Sequence, residues 1–378
     1  MRTYLDYNAT APIHPQARAA MHEALSFHNA SAIYEEGRMA RAAIEIARHK
    51  IIDLCKGDKT SDVVFTSGGT EACNLAFGLH KEENPPSYKM TRIIVGATEH
   101  VAVLQTAKAQ STPPEILPVT SSGISAGIID KGALAKMLED DPTPALVCVQ
   151  AANNETGIIQ PIAEIAELVH CHNGLLFCDG VQAAGKIEID IATWGCDALA
   201  LSAHKIGGAM GVGALVMRKG LRVAPHIIGG GQELGLRAGT ENVAGIVAFG
   251  VAFGVAAQQY PHQKWRDDME ASLREMAPHI TIFGADVPRL PNTTCFSLGG
   301  MTAETLLMKL DLAGVAISSG AACSSGKVEQ SHVLAAMGID AVQSASALRV
   351  SFGWQTQEAD IHRFLDIFRS FIEQQKAA

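Results

Sequence analysis

A lysine stands at the end of an apolar run in the segment "DALALSAHK", residues 197–205. An isolated ammonium group is costly in a low-dielectric interior, so lysine is rare there unless it is paired or chemically used. Taken alone, Lys205 is interpreted as a solvated loop residue rather than as a reactive amine. A reactive amine at the end of a buried strand could form a Schiff base with an aldehyde.

Polar side chains follow five apolar runs that have the composition of buried strands. In chain order they are Thr66–Glu71, Thr98–His100, Asn153–Glu155, Asp179 with Gln182, and Ser202 with His204 and Lys205. Ligands of open α/β sheets bind beyond the carboxyl ends of the strands. Each group alone has an ordinary explanation, such as a turn, a helix cap or a structural histidine. Their common placement favours one ligand site.

The chemistry of these groups suits a single cofactor. A helix that begins after Gly68 and Gly69 offers N–H groups and the positive end of its dipole to a phosphate. Asp179 is suited to a protonated ring nitrogen, and His100 could stack on a flat ring. Lys205 supplies the amine for an aldehyde. These are the requirements of pyridoxal 5′-phosphate (PLP), which the sequence therefore predicts as the cofactor.

A cysteine lies in the small-residue segment "SSGAACSSGK", residues 318–327. Glycine and serine around Cys323 indicate an exposed loop, in which the thiol is either reactive or incidental. The PLP groups favour the reactive alternative. The nearest approach to a metal motif, Cys171, His172 and Cys178, has no partner pair, and Cys178 lies in a strand. No intrinsic metal site is predicted.

The elements that must position these residues follow from the pattern of apolar runs. Between residues 60 and 220, six strand-like runs alternate with helical patterns, among them "TEACNLAFGLH" at 70–80. This alternation predicts an α/β fold with a mostly parallel sheet. The uncharged run at 243–257 predicts a buried, closely packed helix. From Asp267 onward the pattern predicts a smaller α+β domain.

Composition excludes several classes of function. The chain has 378 residues, 47% hydrophobic and 18% charged, with a net charge of −9 and no run rich in lysine or arginine. Nucleic acid and anionic membranes are therefore not expected partners. Residues 1–10 lack the apolar core of a signal peptide, and 243–257 is too short to span a bilayer. Eight scattered cysteines indicate reduced thiols, so we expect a cytoplasmic protein.

The chain resembles the group I cysteine desulfurases of the NifS/IscS type, PLP enzymes similar to class V aminotransferases. The matching motifs are "YLDYNATAP" (4–12), "VVFTSGGTEACNLA" (63–76), "ATEHVAVL" (97–104), "NNETGIIQPI" (153–162), "CDGVQAAGK" (178–186), "LSAHKIGGAMGVGAL" (201–215), "GGGQELGLRAGTEN" (229–242), "SSGAACSSGKVEQSHVL" (318–334) and "LRVSFG" (348–353). They run in family order across essentially the whole chain. Two positions depart from the family pattern, Tyr34 where it often has histidine and Leu234 where it often has arginine.

This resemblance implies PLP-dependent transferase fold type I. The implied large PLP-binding domain covers residues 15–255, with a mostly parallel mixed sheet. Residues 1–14 and 256–378 form the implied small α+β domain, which carries the reactive-cysteine loop. We further predict that residues 320–328 are mobile, because a segment so poor in apolar side chains has few buried contacts to offset its ordering entropy.

The resemblance also implies a role for each matching residue. Lys205 is the Schiff-base lysine, Asp179 pairs with the ring nitrogen, and His100 stacks on the ring and moves protons. Gln182 and Asn154 lie near the ring oxygen. The residues expected to hold the phosphate are Gly69, Thr70, Ser202, His204 and, from the partner subunit of a homodimer, Thr240. The residues expected to bind the substrate are Asn154 and Arg349, whose guanidinium suits a carboxylate.

The implied reaction converts L-cysteine to L-alanine and transfers the sulfur to Cys323 as a persulfide. The sulfur would supply iron–sulfur cluster assembly or a related pathway through an acceptor or scaffold protein, with Cys323 a candidate transient cluster ligand. Three alternatives stay open: a selenocysteine lyase, another lyase or transaminase of fold type I, and an inactive scaffold in a sulfur-transfer complex.

Overall fold

A seven-stranded sheet is the centre of the computed structural model, which describes residues 2–58, 61–81, 90–121, 126–256, 262–320 and 330–377. The strands there are β1 (Thr3–Tyr4), β2 (Asp62–Thr66), β3 (Leu79–Lys81), β4 (Arg92–Gly96), β5 (Glu115–Leu117), β6 (Ala145–Gln150), β7 (Leu175–Asp179), β8 (Ala198–Ser202), β9 (Gly213–Met217), β10 (Leu221–Val223), β11 (Thr281–Ile282), β12 (Thr293–Ser297), β13 (Val315–Ala316), β14 (Ser318–Ser319) and β15 (Ala347–Ser351). The helices are α1 (Pro15–Ala24), α2 (Glu35–Leu54), α3 (Gly69–Ala76), α4 (Val101–Lys108), α5 (Lys131–Asp140), α6 (Ile162–Cys171), α7 (Ile191–Trp194), α8 (Val243–Ala256), α9 (His262–Met276), α10 (Ala303–Leu312), α11 (His332–Ala336), α12 (Ala341–Ala345) and α13 (Glu358–Ala377).

The strands of this sheet follow the order β2-β9-β8-β7-β6-β4-β5. Neighbours from β8 to β5 are parallel, whereas β9 runs antiparallel to both β8 and β2. The carboxyl ends of β2, β4, β6, β7 and β8 therefore meet at one edge. The predicted α/β fold with a mostly parallel mixed sheet is confirmed.

Both faces of the sheet are buried, which explains why its strands are continuously apolar. In β6, Val147 and Val149 pack into the apolar core on one face, while Leu146 and Cys148 pack into the core on the other. A parallel strand covered on both faces has no solvent side, so the alternation of polar and apolar residues disappears. No helix in the described ranges is long and apolar enough to cross a bilayer.

The run predicted as a closely packed buried helix forms α8. It packs on α2 so tightly that a Cβ atom on Gly250 would lie 3.0 Å from the Cα of Ala47. Phe249 and Phe253 of the same helix enter the core beneath the seven-stranded sheet. Residue 257, the last of the predicted run, lies outside the described residues.

A smaller sheet is built from the C-terminal third of the chain, in the order β11-β12-β15-β14. The N-terminal segment joins this region, because β1 pairs with β13 and Asp6 bridges to Ser351. Phe296, Phe364 and Phe368 fill its own apolar core. The division into residues 15–255 and residues 1–14 with 256–378 stays a prediction.

One helical prediction is wrong at its end. The pattern at 70–80 was expected to be helical throughout, but α3 ends at Ala76 and Leu79–Lys81 pairs with β10. A Cβ atom on Gly78 would lie 2.9 Å from the backbone nitrogen of Ala224. Glycine allows this close approach, and pairing between strands then prevails over the helical pattern.

Candidate active site

A cavity of about 230 Å³ lies at the carboxyl edge of the seven-stranded sheet. It is lined by Asn8, Ala9, Gly69, Thr70, Cys73, His100, Ala102, Gln150, Ala152, Asn154, Asp179, Val181, Gln182, Ser202, His204, Lys205 and Arg349. The lining includes all of the predicted site residues except Thr240 and Cys323. Residues far apart in the sequence are thus brought to one space, as the strand-end argument expects.

Lys205 lies just beyond β8, where a short 3-10 helix, Ala203–Lys205, turns the chain. Its Nζ donates hydrogen bonds to the backbone carbonyl oxygens of Asn8 at 2.7 Å and Ala9 at 2.8 Å. Both acceptors are neutral and belong to the N-terminal segment. That segment therefore determines where the amine rests inside the cavity.

Asp179 is the last residue of β7 and is buried. Its Oδ1 accepts a hydrogen bond from the backbone N–H of Val181 at 2.9 Å, and the Sγ of Cys73 lies 3.9 Å from its Oδ2. Burial raises the pKa of the Asp179 carboxyl above its usual range, although nearby His100 and Lys205 act in the opposite direction. A buried carboxylate of this kind gains from a cationic ring nitrogen beside it.

A narrow space lies at the N-terminus of α3, where the phosphate was expected. A Cβ atom on Gly69 would lie 2.9 Å from the Cγ2 of Val181 and 3.3 Å from the Cβ of Ser202. A Cβ atom on Gly213, across the turn, would lie 2.4 Å from the backbone of Gly68. Only glycine fits at these positions, so the backbone N–H groups of the helix start can approach a ligand closely.

Burial lowers the pKa of two histidines that line the cavity, His100 and His204. The Nδ1 of His100 accepts from the backbone N–H of Ala102 at 3.1 Å, which caps α4, and burial lowers the pKa of this ring. Burial, followed by the charges of Lys205 and Lys186, lowers the pKa of His204 to about 4. A lowered pKa favours the uncharged imidazole, and the flat ring of His100 is suited to stacking on a flat cofactor.

Arg349, in β15, is almost completely buried, with 1% of its surface exposed. Its Nη2 pairs with Asp6 Oδ1 at 2.6 Å, and its Nη1 donates to the backbone carbonyl of Asn154 at 2.9 Å. Its Nε is buried without a hydrogen-bond partner among the described residues. Arg349 lines the cavity, and its guanidinium is suited to a carboxylate.

These residues fit PLP when they are tested on the structure itself. The cavity combines a lysine amine, a buried carboxyl group and a glycine-lined helix start that a Cβ atom would fill. Amine, carboxyl and anion site match the aldehyde, ring nitrogen and phosphate of the cofactor. No cluster of histidine, cysteine and acidic side chains in the described ranges is arranged to hold a metal ion.

Two predicted residues are not in the lining. Thr240 is exposed and borders a separate pocket with Glu233 and Arg237, so it does not reach the cavity of its own chain. Cys323, and with it residues 321–328 of the segment predicted to be mobile, lies outside the described residues. Gly320 is described, and its backbone N–H donates to the carbonyl of Ala347 at 2.8 Å.

Some lining residues were not predicted as site residues, notably Asn8, Cys73 and Gln150. Helical spacing could have found Cys73, because it lies one turn after Gly69 and Thr70 on α3. Gln150 ends β6 and belongs to the same set of strand ends. Asn8 lies in the matching motif "YLDYNATAP", but neither a strand end nor helical spacing indicated that tertiary contacts would bring it to the cavity.

Together, the fold and the site define a PLP-dependent enzyme of fold type I. The chain belongs to the aminotransferase class-V family, whose model matches residues 3–364. A protein of Cereibacter sphaeroides named cysteine desulfurase is 37% identical over 384 residues, covering 100% of this chain and 97% of that protein.

Solved structures agree with this assignment. The NifS-like protein from Rickettsia africae ESF-5 is similar with a TM-score of 0.88 and 30% identity, covering 99% of this chain and 100% of that one. A structure of SspA in complex with cysteine gives a TM-score of 0.78 and 28% identity, covering 93% of this chain and 98% of that one.

Proposed function

We propose that this protein is a cysteine desulfurase. L-cysteine and the thiol of Cys323 would give L-alanine and a persulfide on Cys323, a balance that needs no external oxidant or reductant. The observation that carries the proposal is the single cavity in which Lys205, Asp179 and Arg349 meet. The relative named cysteine desulfurase and the similar structure that holds cysteine support the same reaction.

The cofactor, when bound, supplies the electron sink that makes the Cα proton of the substrate acidic. Asp179 would hold the ring nitrogen through its buried carboxyl, and His100 would pack on the ring. Lys205 would hold the cofactor in the resting enzyme. Once the substrate amine has taken that position, the released Nζ would remove the Cα proton.

Arg349 would bind the substrate carboxylate, with Asn154 beside it. The Nε of Arg349 has no partner in the described part of the chain, whereas its two Nη atoms are held by Asp6 and by the Asn154 carbonyl. The guanidinium is thus oriented before the substrate arrives, so little side-chain entropy is lost on binding.

The phosphate would lie at the start of α3. Gly69, Thr70, Ser202 and His204 would bind it from this chain, and Thr240 of a partner subunit would bind it from across a homodimer. Exposure of Thr240 outside the cavity of its own chain supports this arrangement. Gln182, which also lines the cavity, would contact the ring oxygen.

Sulfur transfer would use Cys323. Its thiolate would attack the sulfur of the substrate, forming the S–S bond while the Cβ–S bond breaks and its electron pair stays with the three-carbon product. Both flanks of the segment are fixed near the cavity. Gly320 bonds to Ala347, and the Oγ of Ser331 donates to Glu155 beside Asn154. In a cytoplasmic setting, the persulfide would pass to a sulfur acceptor or an iron–sulfur scaffold protein.

A test of this function compares Cys323→Ser with the parent and with Cys171→Ser, which removes an exposed thiol elsewhere. With L-cysteine as substrate, we expect the parent and Cys171→Ser to form alanine and a protein-bound persulfide in a 1:1 first turnover. Cys323→Ser should form neither at the parent rate. Full turnover of Cys323→Ser would instead indicate a lyase or transaminase. The relative rates on cysteine and selenocysteine test the remaining alternative: a faster rate on selenocysteine would indicate a selenocysteine lyase.

A further inference from the structure

Lys186 lies in the segment that follows Asp179, but it does not line the Lys205 cavity. Lys186 is partly exposed and lines two neighbouring cavities of about 50 and 740 Å³. The smaller of these cavities is also lined by Lys205. Lys186 therefore shares this smaller cavity with the lysine that would hold the cofactor.

The amine of Lys186 contacts two amide oxygens. Its Nζ donates to the Oδ1 of Asn8 at 3.0 Å and to the Oε1 of Gln182. No carboxylate pairs with it within the described ranges. Protein packed around this amine, and then the charges of Lys205 and Arg349, lower its pKa well below the usual lysine range. A salt bridge therefore does not explain why an amine is placed in this unfavourable environment, and its contacts with the two amides are the remaining explanation.

The contacts of Gln182 show that the Lys186 amine can fix the orientation of the Gln182 side-chain amide. The Nε2 of Gln182 donates to the backbone carbonyl of Asn8 at 3.0 Å. A carbonyl only accepts, so the amide nitrogen must face Asn8 and the amide oxygen must face Lys186. The same Asn8 carbonyl accepts from the Nζ of Lys205 at 2.7 Å. The Lys186 amine thus holds two side chains that line the cavity, and one of them, Gln182, shares the backbone carbonyl of Asn8 with the amine of Lys205.

We propose that Lys186 is a positioning residue, which fixes the side chains of Asn8 and Gln182 against the cofactor held by Lys205. Charged or neutral, its amine has a hydrogen for each of the two oxygens. Because Lys186 does not line the Lys205 cavity, its effect passes through these two amides. The inference rests on the proposed function only in its effect on cysteine turnover. Its effect on the spectrum of the bound cofactor does not depend on the substrate.

The test is Lys186→Met, which keeps the stem and removes both hydrogen-bond donors. Lys186→Arg restores donors in a longer side chain, for which the neighbouring cavities have room. Lys186→Gln, with a shorter donor, is a second variant should the methionine protein fail to fold. Lys56→Met is the matched control, because Lys56 lines the larger cavity with Lys186 but pairs with Glu188 at the surface.

For Lys186→Met we expect a shift in the absorption maximum and the visible circular dichroism of the cofactor-loaded protein. The kcat for L-cysteine should fall about tenfold while KM changes by less than about threefold, as is typical when support behind binding groups is removed. Lys186→Arg should restore the parent spectrum, and Lys186→Gln should lie between the two. The cofactor-free protein should melt no lower than the parent.

Three results would overturn the proposal: a parent spectrum in Lys186→Met, an equal shift in Lys56→Met, or an arginine variant as altered as the methionine variant. The spectra are recorded without cysteine. If the parent enzyme forms no alanine, the proposed function fails, while the spectra still decide on Lys186.

Discussion

The two regions that line the cavity are built in different ways. The edge of the seven-stranded sheet contributes Asp179, the last residue of the buried strand β7, and Lys205, three residues after the buried strand β8. The second region consists of Asp6 and Asn8 in the N-terminal segment and Arg349 in β15. The ion pair of Asp6 with Arg349 connects residues that are 343 positions apart in the sequence. The sheet edge carries the groups suited to bond making, whereas the second region carries the guanidinium suited to recognition. Chemistry and recognition should therefore be separable by mutation.

The largest effect is expected at the sheet edge. Lys205→Ala removes the amine that would hold the cofactor and the base that would take the Cα proton. Its visible cofactor band should disappear, and alanine formation should fall about 10³-fold. Lys131→Ala, which removes an exposed lysine paired with Glu164, is the control and should keep both. A Lys205→Ala protein that retained band and turnover would contradict the assignment of chemistry to this edge.

A second effect concerns Glu155, where the two regions meet. Burial raises the pKa of its carboxyl from 4.5 to about 7. Between pH 4.5 and about pH 7, the folded protein therefore keeps a proton on Glu155 that the unfolded chain has released. For this reason the free energy of unfolding falls as the pH rises through this range. The loss for this one group is on the order of 3 kcal/mol.

Glu155→Gln is neutral at every pH and still offers an oxygen to Ser331, so it should lack this loss. The melting temperature of the cofactor-free protein, recorded between pH 5 and pH 8, measures this pH-dependent loss of stability. Relative to the parent, the variant should gain stability toward pH 8. If the melting temperatures of the parent and of Glu155→Gln changed with pH in the same way across this range, Glu155 would not be the group whose titration lowers the stability.

A smaller effect, confined to recognition, is expected for Arg349→Gln. The KM for L-cysteine should rise about 30-fold, which corresponds to the loss of a charged hydrogen bond of about 2 kcal/mol. The cofactor band should remain, because Lys205 and Asp179 are unchanged. Arg289→Gln is the control, since this arginine is buried against Glu270 in the same region. Loss of the band in Arg349→Gln would erase the distinction between the regions.

The same contrast explains what the sequence could predict. An apolar run and the polar residue after it are neighbours in the chain, so the strand ends that carry Asp179 and Lys205 were accessible from sequence. The ion pair of Asp6 with Arg349 and the hydrogen bonds of Asn8 depend on how the chain returns, which no local pattern records. Lys186 was within a quoted motif, but only its contacts reveal a purpose.

The helix that was expected to run through residue 80 fails for a related reason. Its apolar spacing is helical, but pairing of Leu79–Lys81 with β10 involves residues more than 130 positions later. A tertiary partner of this kind overrides local propensity. Resemblance to a family supplied the role of Arg349, which residue types alone did not suggest.

The pairing of the first residues with β13 and β15 also has a consequence for biosynthesis. The segment around Asn8 leaves the ribosome before β12 and β15, yet Asn8 bonds to the side chains of Thr293 and Ser351 in those strands. At 5–20 residues per second, roughly 20 to 70 s pass between the synthesis of Asn8 and that of Ser351, which lies 343 positions later. During that time the resting place of Lys205 does not exist. Cofactor capture in the native geometry is therefore a late, post-translational event, and a nascent chain stalled before β15 should release PLP.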